Sequence, residues 1–145
     1  MKIIKASAND AHVVAKLSCM LWPGHSVEEM TDEFCVLLSQ ENAAVYLAVD
    51  DTAVGFAQCQ LRCDYVEGTD SSPVGYLEGI FVLDDYRRRG VARALLTACQ
   101  QWAKDRGCSE FASDCEIDNT ESLVFHLAMG FVEANRIICF AKKLQ

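Results

Sequence analysis

Arg87, Arg88 and Arg89 stand directly before Gly90-Val91-Ala92. An apolar strand candidate, Val74 to Leu83, ends just upstream, and Val91, Leu95, Ala98 and Trp102 follow at helical spacing. A glycine where a helix starts lets a ligand come close to the backbone. The first helical turn leaves N–H groups unpaired at the positive end of the helix dipole. With three guanidinium groups beside it, this pattern predicts an anion site. The bland alternative is a solvated basic turn between two core elements.

Two carboxylates give a second chemistry. Glu78 stands in the middle of the otherwise apolar strand. Burying it is costly unless it is paired or faces a cavity. Strand alternation puts Tyr76, Glu78, Ile80 and Val82 on one face. Asp114 ends the next strand candidate, near the edge of the sheet where α/β ligands bind. Two acids in one cleft suit a polycationic amine. The competing structural readings are an arginine partner for Glu78 and a turn role for Asp114.

Composition bounds what these groups serve. The 145 residues suffice for one domain with a core, taken as residues 1–145, and 51% apolar content argues against disorder. Thirteen basic against 21 acidic residues leave a net charge of −8. Such a surface repels nucleic acid and membranes and attracts cations. No apolar run is long enough to span a bilayer. MKIIKASAND lacks the form of a signal peptide. The eight cysteines fall largely inside apolar patterns, and Cys59 and Cys63 have no second close pair, so no zinc site is expected. They read as reduced thiols of a cytoplasmic protein.

The positioning elements follow in order. Lys2 to Ala6 predicts a strand. Ser7 with Asp10 opens a helix towards Leu21, with Val13, Val14, Leu17, Met20 and Leu21 on its apolar face. Ser26 with Glu29 opens another, through Leu38. Ala43–Val49 and Ala53–Arg62 form a hairpin about Asp50-Asp51. Asp64 to Pro73 is a polar loop. The helix after Gly90 stops at Arg106-Gly107. Glu110–Ser113 is a short strand, Asn119–Met129 a helix, and Phe131–Ala141 a last strand. The order β-α-α-β-β-β-α-β-α-β fits an α/β fold with a mixed sheet.

Arg87-x-x-Gly90-x-Ala92 after an apolar strand resembles the pyrophosphate loop of the GCN5-related N-acetyltransferases (GNAT). A second match lies in Asn119-Thr-Glu-Ser122-Leu-Val-Phe-His126-Leu-Ala-Met-Gly130-Phe131. The resemblance spans nearly the whole chain. It implies the GNAT fold, a mixed central sheet with splayed central strands flanked by helices. It also implies acetyl-CoA as cosubstrate, no metal, and a pantetheine arm paired with the backbone of Ile80, Phe81 and Val82. The pyrophosphate would lie on Arg87, Arg88, Arg89, Gly90, Val91 and Ala92, and Asn119 would touch the cofactor. His126 occupies the place where many relatives carry a tyrosine that protonates the leaving thiolate. An imidazole suits that task because it titrates near neutrality. A space-filling helix histidine is the alternative.

Further blocks resemble the aminoglycoside 6′-N-acetyltransferases: Leu21-Trp22-Pro23-Gly24-His25, Asp64-Tyr65-Val66-Glu67-Gly68, Ser71-Ser72-Pro73-Val74, Leu77-Glu78-Gly79-Ile80-Phe81-Val82 and Phe111-Ala112-Ser113-Asp114. By this resemblance Trp22, Tyr65, Glu78 and Asp114 line an acidic antibiotic pocket. Asn135 falls where relatives carry an acid. The reaction implied is attack of the 6′-amine on the thioester, with Asp114 or Glu78 accepting the ammonium proton and Asp114 favoured. A homodimer is expected, with the C-terminal strand pairing across subunits. The alternatives are acetyl transfer to another cationic metabolite or protein amine, and a non-catalytic acyl-CoA-binding module.

Overall fold

Capping side chains set the first helix starts. The Ser7 N–H and hydroxyl both donate to the Asp10 carboxylate, at 2.8 and 3.3 Å, and fix the turn before helix α1 (Ala11–Leu21). Ser26 Oγ accepts the Glu29 N–H at 3.1 Å and starts helix α2 (Val27–Leu37). The computed structural model describes residues 1–145. Its strands are β1 (Lys2–Lys5), β2 (Ala43–Asp50), β3 (Thr52–Arg62), β4 (Val74–Val82) and β5 (Phe111–Ala112). Helices α3 (Val91–Asp105) and α4 (Thr120–Ala128) complete it.

The sheet runs β1-β2-β3-β4-β5, antiparallel except for the last pair. Asp51, at φ 62°, turns β2 into β3; aspartate tolerates this left-handed conformation better than most residues. One face of the sheet packs α1 and α2 through Val14, Leu17, Phe34, Val45, Leu47 and Phe56. The other packs α3 through Leu95, Cys99 and Trp102 against Ala57, Cys59 and Leu77.

Three expectations are corrected. Helix α1 buries Ala11, Val14, Ala15, Leu17 and Ser18, while Val13 and Met20 are exposed. Small residues at positions 11, 15 and 18 let that face approach its neighbours, and the Ser18 hydroxyl is satisfied by Ala15 O at 2.9 Å. The apolar stripe is therefore rotated from the one the larger side chains suggested.

The second correction concerns β4. Gln58 faces Gly79 and Cys59 faces Leu77, so Glu78 is the extra residue of a β-bulge. The bulge shifts the phase of alternation. Gln60 opposite Tyr76 and Phe56 opposite Phe81 lie towards α1 and α2, whereas Ile80 and Val82 pack with the α3 cluster. Tyr76 and Glu78 thus do not share a face with Ile80 and Val82.

The third is the final strand. Phe131–Ala141 joins no ladder, and no main-chain hydrogen bond between backbone groups involves residues 132–145. Its side chains face solvent, with Val132 87%, Ile138 80% and Phe140 90% exposed. A strand is defined by its partner, and within this chain the segment has none.

Candidate active site

Strands β4 and β5 form a fork. They pair only at Gly75 with Phe111 and Tyr76 with Ala112, then separate. Beyond Tyr76 the β4 backbone pairs with β3 alone, through Ala57–Ile80, Phe56–Phe81 and Gly55–Val82. The opposite edge of Ile80–Val82 thus has room for an extended ligand arm to add as a strand.

The turn after β4 makes the anion nest. Gly90 caps α3 at φ 79°, a conformation that favours glycine. The N–H groups of Val91, Ala92 and Arg93 have no main-chain acceptor. Arg88 also takes a left-handed conformation, at φ 63°. Arg87 braces the turn: its Nε donates to Val82 O at 3.0 Å, and its guanidinium lies 3.1 Å from Asp84 and 3.9 Å from Glu121. Arg89 lies over the Tyr86 ring at 5.1 Å. Main-chain donors and α3's dipole thus carry the nest, with cationic side chains around it. Asn119 accepts the Ser122 N–H at 3.1 Å, which caps α4.

On the α1–α2 face lies a cavity of about 320 Å³, lined by Trp22, His25, Glu33, Phe34, Gln58 and Glu78 among others. Trp22 packs edge-on to Phe56 at a centroid distance of 6.1 Å. It also covers Gly79, where a Cβ would stand 2.5 Å from its ring, so only glycine lets the indole form this wall.

Glu78 is neutralised in place. Arg62 Nη2 donates to both of its carboxylate oxygens, at 2.5 and 2.9 Å. The same guanidinium stacks on Tyr76, 3.5 Å from the ring centroid. Tyr76 donates its phenol hydrogen to Asp114 Oδ2. Burial foremost, and then this hydrogen bond, push the Tyr76 phenol well up. A polar chain Glu78–Arg62–Tyr76–Asp114 therefore links the two acids. The arginine partner weighed from the sequence is present, and the cavity is present as well.

The remaining expected residues are spread out. Tyr65, 77% exposed, lines a second cavity of about 370 Å³ with Gln60, Arg62 and Asp64. Asn135 donates from Nδ2 to Glu67 Oε1 at 2.8 Å, which ties the C-terminal segment to the loop that carries Tyr65. It does not line the Trp22–Glu78 cavity. His126 Nδ1 lies 2.7 Å from Ser122 O, and Nε2 lies 2.8 Å from Ser113 Oγ. Its ring packs against Phe125 and Phe131 at 5.6 and 5.0 Å.

Sequence reasoning missed Arg62, Glu33, Gln58 and Ser113. Only Arg62 carried a signal: a carboxylate inside an apolar strand demands a cation, and Arg62 ends the adjacent strand. No three His, Cys, Asp or Glu side chains converge as a metal site would require.

A sheet forked between β4 and β5, with a phosphate-type nest at the start of the helix after β4, defines an acyl-CoA-dependent acetyltransferase. The chain belongs to the Acetyltransferase (GNAT) family, whose model matches residues 11–131. It is similar to the aminoglycoside N(6')-acetyltransferase type 1 of Salmonella typhimurium, 45% identical over 124 residues that cover 85% of this chain and 86% of that protein. The namesake from Acinetobacter baumannii is 40% identical and covered over 99% of both chains. The structure of AAC(6')-Iy in complex with the bisubstrate analog CoA-S-monomethyl-acetylneamine matches at a TM-score of 0.94 with 40% identity, covering 99% of this chain and 98% of that one. AAC(6')-Ih from Acinetobacter baumannii matches at 0.94 with 38% identity, over 99% of both chains.

Proposed function

We propose that this chain, as a single domain, transfers the acetyl group of acetyl-CoA to the 6′-amine of aminoglycosides and so confers resistance. The observation that carries the reading is the juxtaposition of two surfaces on β4. Its free edge and the Gly90 nest suit the cosubstrate, and the acidic cavity beside Glu78 suits a polycationic acceptor. The arm of acetyl-CoA lies along Ile80, Phe81 and Val82, with phosphates on Val91 and Ala92 and the arginines around them. Asn119, at the start of α4, contacts the cofactor.

Holding amine and thioester together supplies much of the rate. The amine nitrogen forms its bond to the acetyl carbon as the bond to sulfur breaks. A main-chain N–H at Ile80–Val82 stabilises the developing oxyanion. Asp114 accepts the ammonium proton, directly or through water. Glu78, clamped by Arg62, serves chiefly to orient the substrate with Trp22. Tyr65, on the loop beside this cleft, and Asn135, hydrogen-bonded to that loop, add contacts. His126 stands on the side of the leaving thiolate.

Product mass tests the activity. The protein is incubated with acetyl-CoA, a 6′-amino aminoglycoside, its 6′-hydroxyl analogue and spermidine. One acetyl group on the first alone is expected. Acetylation of spermidine alone would replace the proposed substrate with a polyamine. Asp114→Asn then tests the base: turnover lowered about 100-fold is expected, and unchanged turnover would remove Asp114 from that role.

The proposal includes a homodimer in the cytoplasm. Free thiols at all eight cysteines suit a reducing compartment. The segment 132–145, whose backbone is unpaired and whose middle, Ile137–Ala141, is apolar and exposed, suits pairing with a second copy.

A further inference from the structure

The tautomer of His126 follows from its neighbours. A carbonyl oxygen only accepts, so Nδ1, 2.7 Å from Ser122 O, carries a hydrogen. In the neutral ring Nε2 is then a lone pair, and the Ser113 hydroxyl, 2.8 Å away, donates to it. In the imidazolium both nitrogens donate, and Ser113 becomes the acceptor. The hydroxyl hydrogen must then turn away from the ring. Turned from the ring, the Ser113 hydroxyl donates to Leu77 O at 3.4 Å, on the first stretch of β4 that β5 no longer pairs. The freed hydrogen therefore turns into the base of the fork.

That position matters for the thioester. The nest at Gly90 follows β4, so an arm anchored there runs back along β4 from Val82 towards Ile80. Residues Gly79, Glu78 and Leu77 come next, at about 3.3 Å each. The reacting end of the arm thus approaches the base of the fork, beside Ser113.

We propose that Ser113 hands the proton to the departing thiolate, and that His126 acts behind it as the positioning residue and proton store; this rests on the acetyl-CoA reading above. As the C–S bond breaks, its electron pair stays on sulfur. Ser113 Oγ gives its hydrogen to sulfur and takes the Nε2 hydrogen of the His126 imidazolium. The imidazole left behind is the tautomer held by Ser122 O, and water from solvent reprotonates it. The amine's own proton leaves separately, on the Asp114 side. The flanks of the ring are the Phe125 and Phe131 side chains, so Ser113 is the polar group through which Nε2 meets the fork.

A merely structural pair would staple α4 to β5 and nothing more. Three variants separate the roles: Ser113→Ala, Ser113→Thr and His126→Gln. Loss of the hydroxyl is expected to lower kcat about 100-fold, with acetyl-CoA affinity by calorimetry changed less than about twofold. Threonine keeps the hydroxyl and restores most of kcat. His126→Gln keeps a hydrogen-bonding side chain but carries no mobile proton, and behaves like Ser113→Ala. Wild-type kcat in Ser113→Ala would overturn the proposal. So would equal losses in the alanine and threonine variants, or a loss of kcat that tracks a loss of acetyl-CoA binding. Nitrogen-15 NMR of the His126 ring in the free protein gives a readout without substrate. An Nε2–H tautomer in the neutral ring would refute the relay even if no aminoglycoside is acetylated, which is the separate failure of the parent reading.

Discussion

Glu78 shows how a residue is legible in part. Its position in an apolar strand announced a paired or cavity-facing acid, and both conditions hold. The demand for a cation was readable and Arg62 was in reach, but which cation meets it is fixed only by the β3–β4 register. The bulge was equally hidden, since a bulge is a relation between two strands. Glu33 is the counterpart that no pattern announced. It lines the same cavity as Glu78, is exposed on α2, and forms none of the chain's ion pairs. With Glu78 neutralised by Arg62, the uncompensated negative charge in that cavity belongs to Glu33. Glu33→Gln is therefore expected to raise KM for a multiply charged aminoglycoside roughly fivefold, about 1 kcal/mol, and to leave kcat unchanged. The effect should shrink as salt rises. Steady-state kinetics at two ionic strengths checks both statements.

Elements were read well where local chemistry decides them and poorly where packing decides. The caps at Ser7 and Ser26, the turn at Asp51 and the glycine start of α3 all stand where residue types place them. The face of α1 was read in part: Val14 and Leu17 are buried as expected, but Ala11, Ala15 and Ser18 complete the stripe in place of Val13 and Met20. The loop between β3 and β4 shows how a distant side chain holds an element that has no regular structure. Glu110 Oε1 accepts from Ser71 Oγ at 2.5 Å and from the Asp70 N–H at 2.9 Å. The Ser71 hydroxyl first, and then the Asp70 N–H, hold the Glu110 carboxyl below its usual range. A lowered folded-state value means the charge stabilises the fold above the ordinary carboxyl range, and this contribution is lost as pH falls through the lowered value. Glu110→Gln should lower Tm at neutral pH, and the gap from wild type should close in strong acid. Because the loop carries Tyr65, KM for the aminoglycoside should rise in the same variant.

At the scale of the whole molecule, the sheet and both cores were legible as a class of fold, and the outlying segment was legible as a strand without a place. Residues Ile137 to Ala141 have the composition of a core strand and the exposure of a tail. Deleting residues 132–145 is expected to convert a dimer into a monomer in light scattering coupled to gel filtration, and a full-length monomer would refute the pairing. A deletion that also unfolds the chain would show in circular dichroism, in which case Phe140→Lys with Ile138→Lys makes the same test. Under the proposed pairing, an end completed by another copy would link completion of the fold to how much of it a cell makes. Pair formation rises with the square of concentration. A cell expressing few copies would then hold mostly open chains, with their apolar ends accessible to proteases, and a cell expressing many would hold closed pairs. Drug tolerance would then climb more steeply than gene dosage, with a threshold set by the pairing constant.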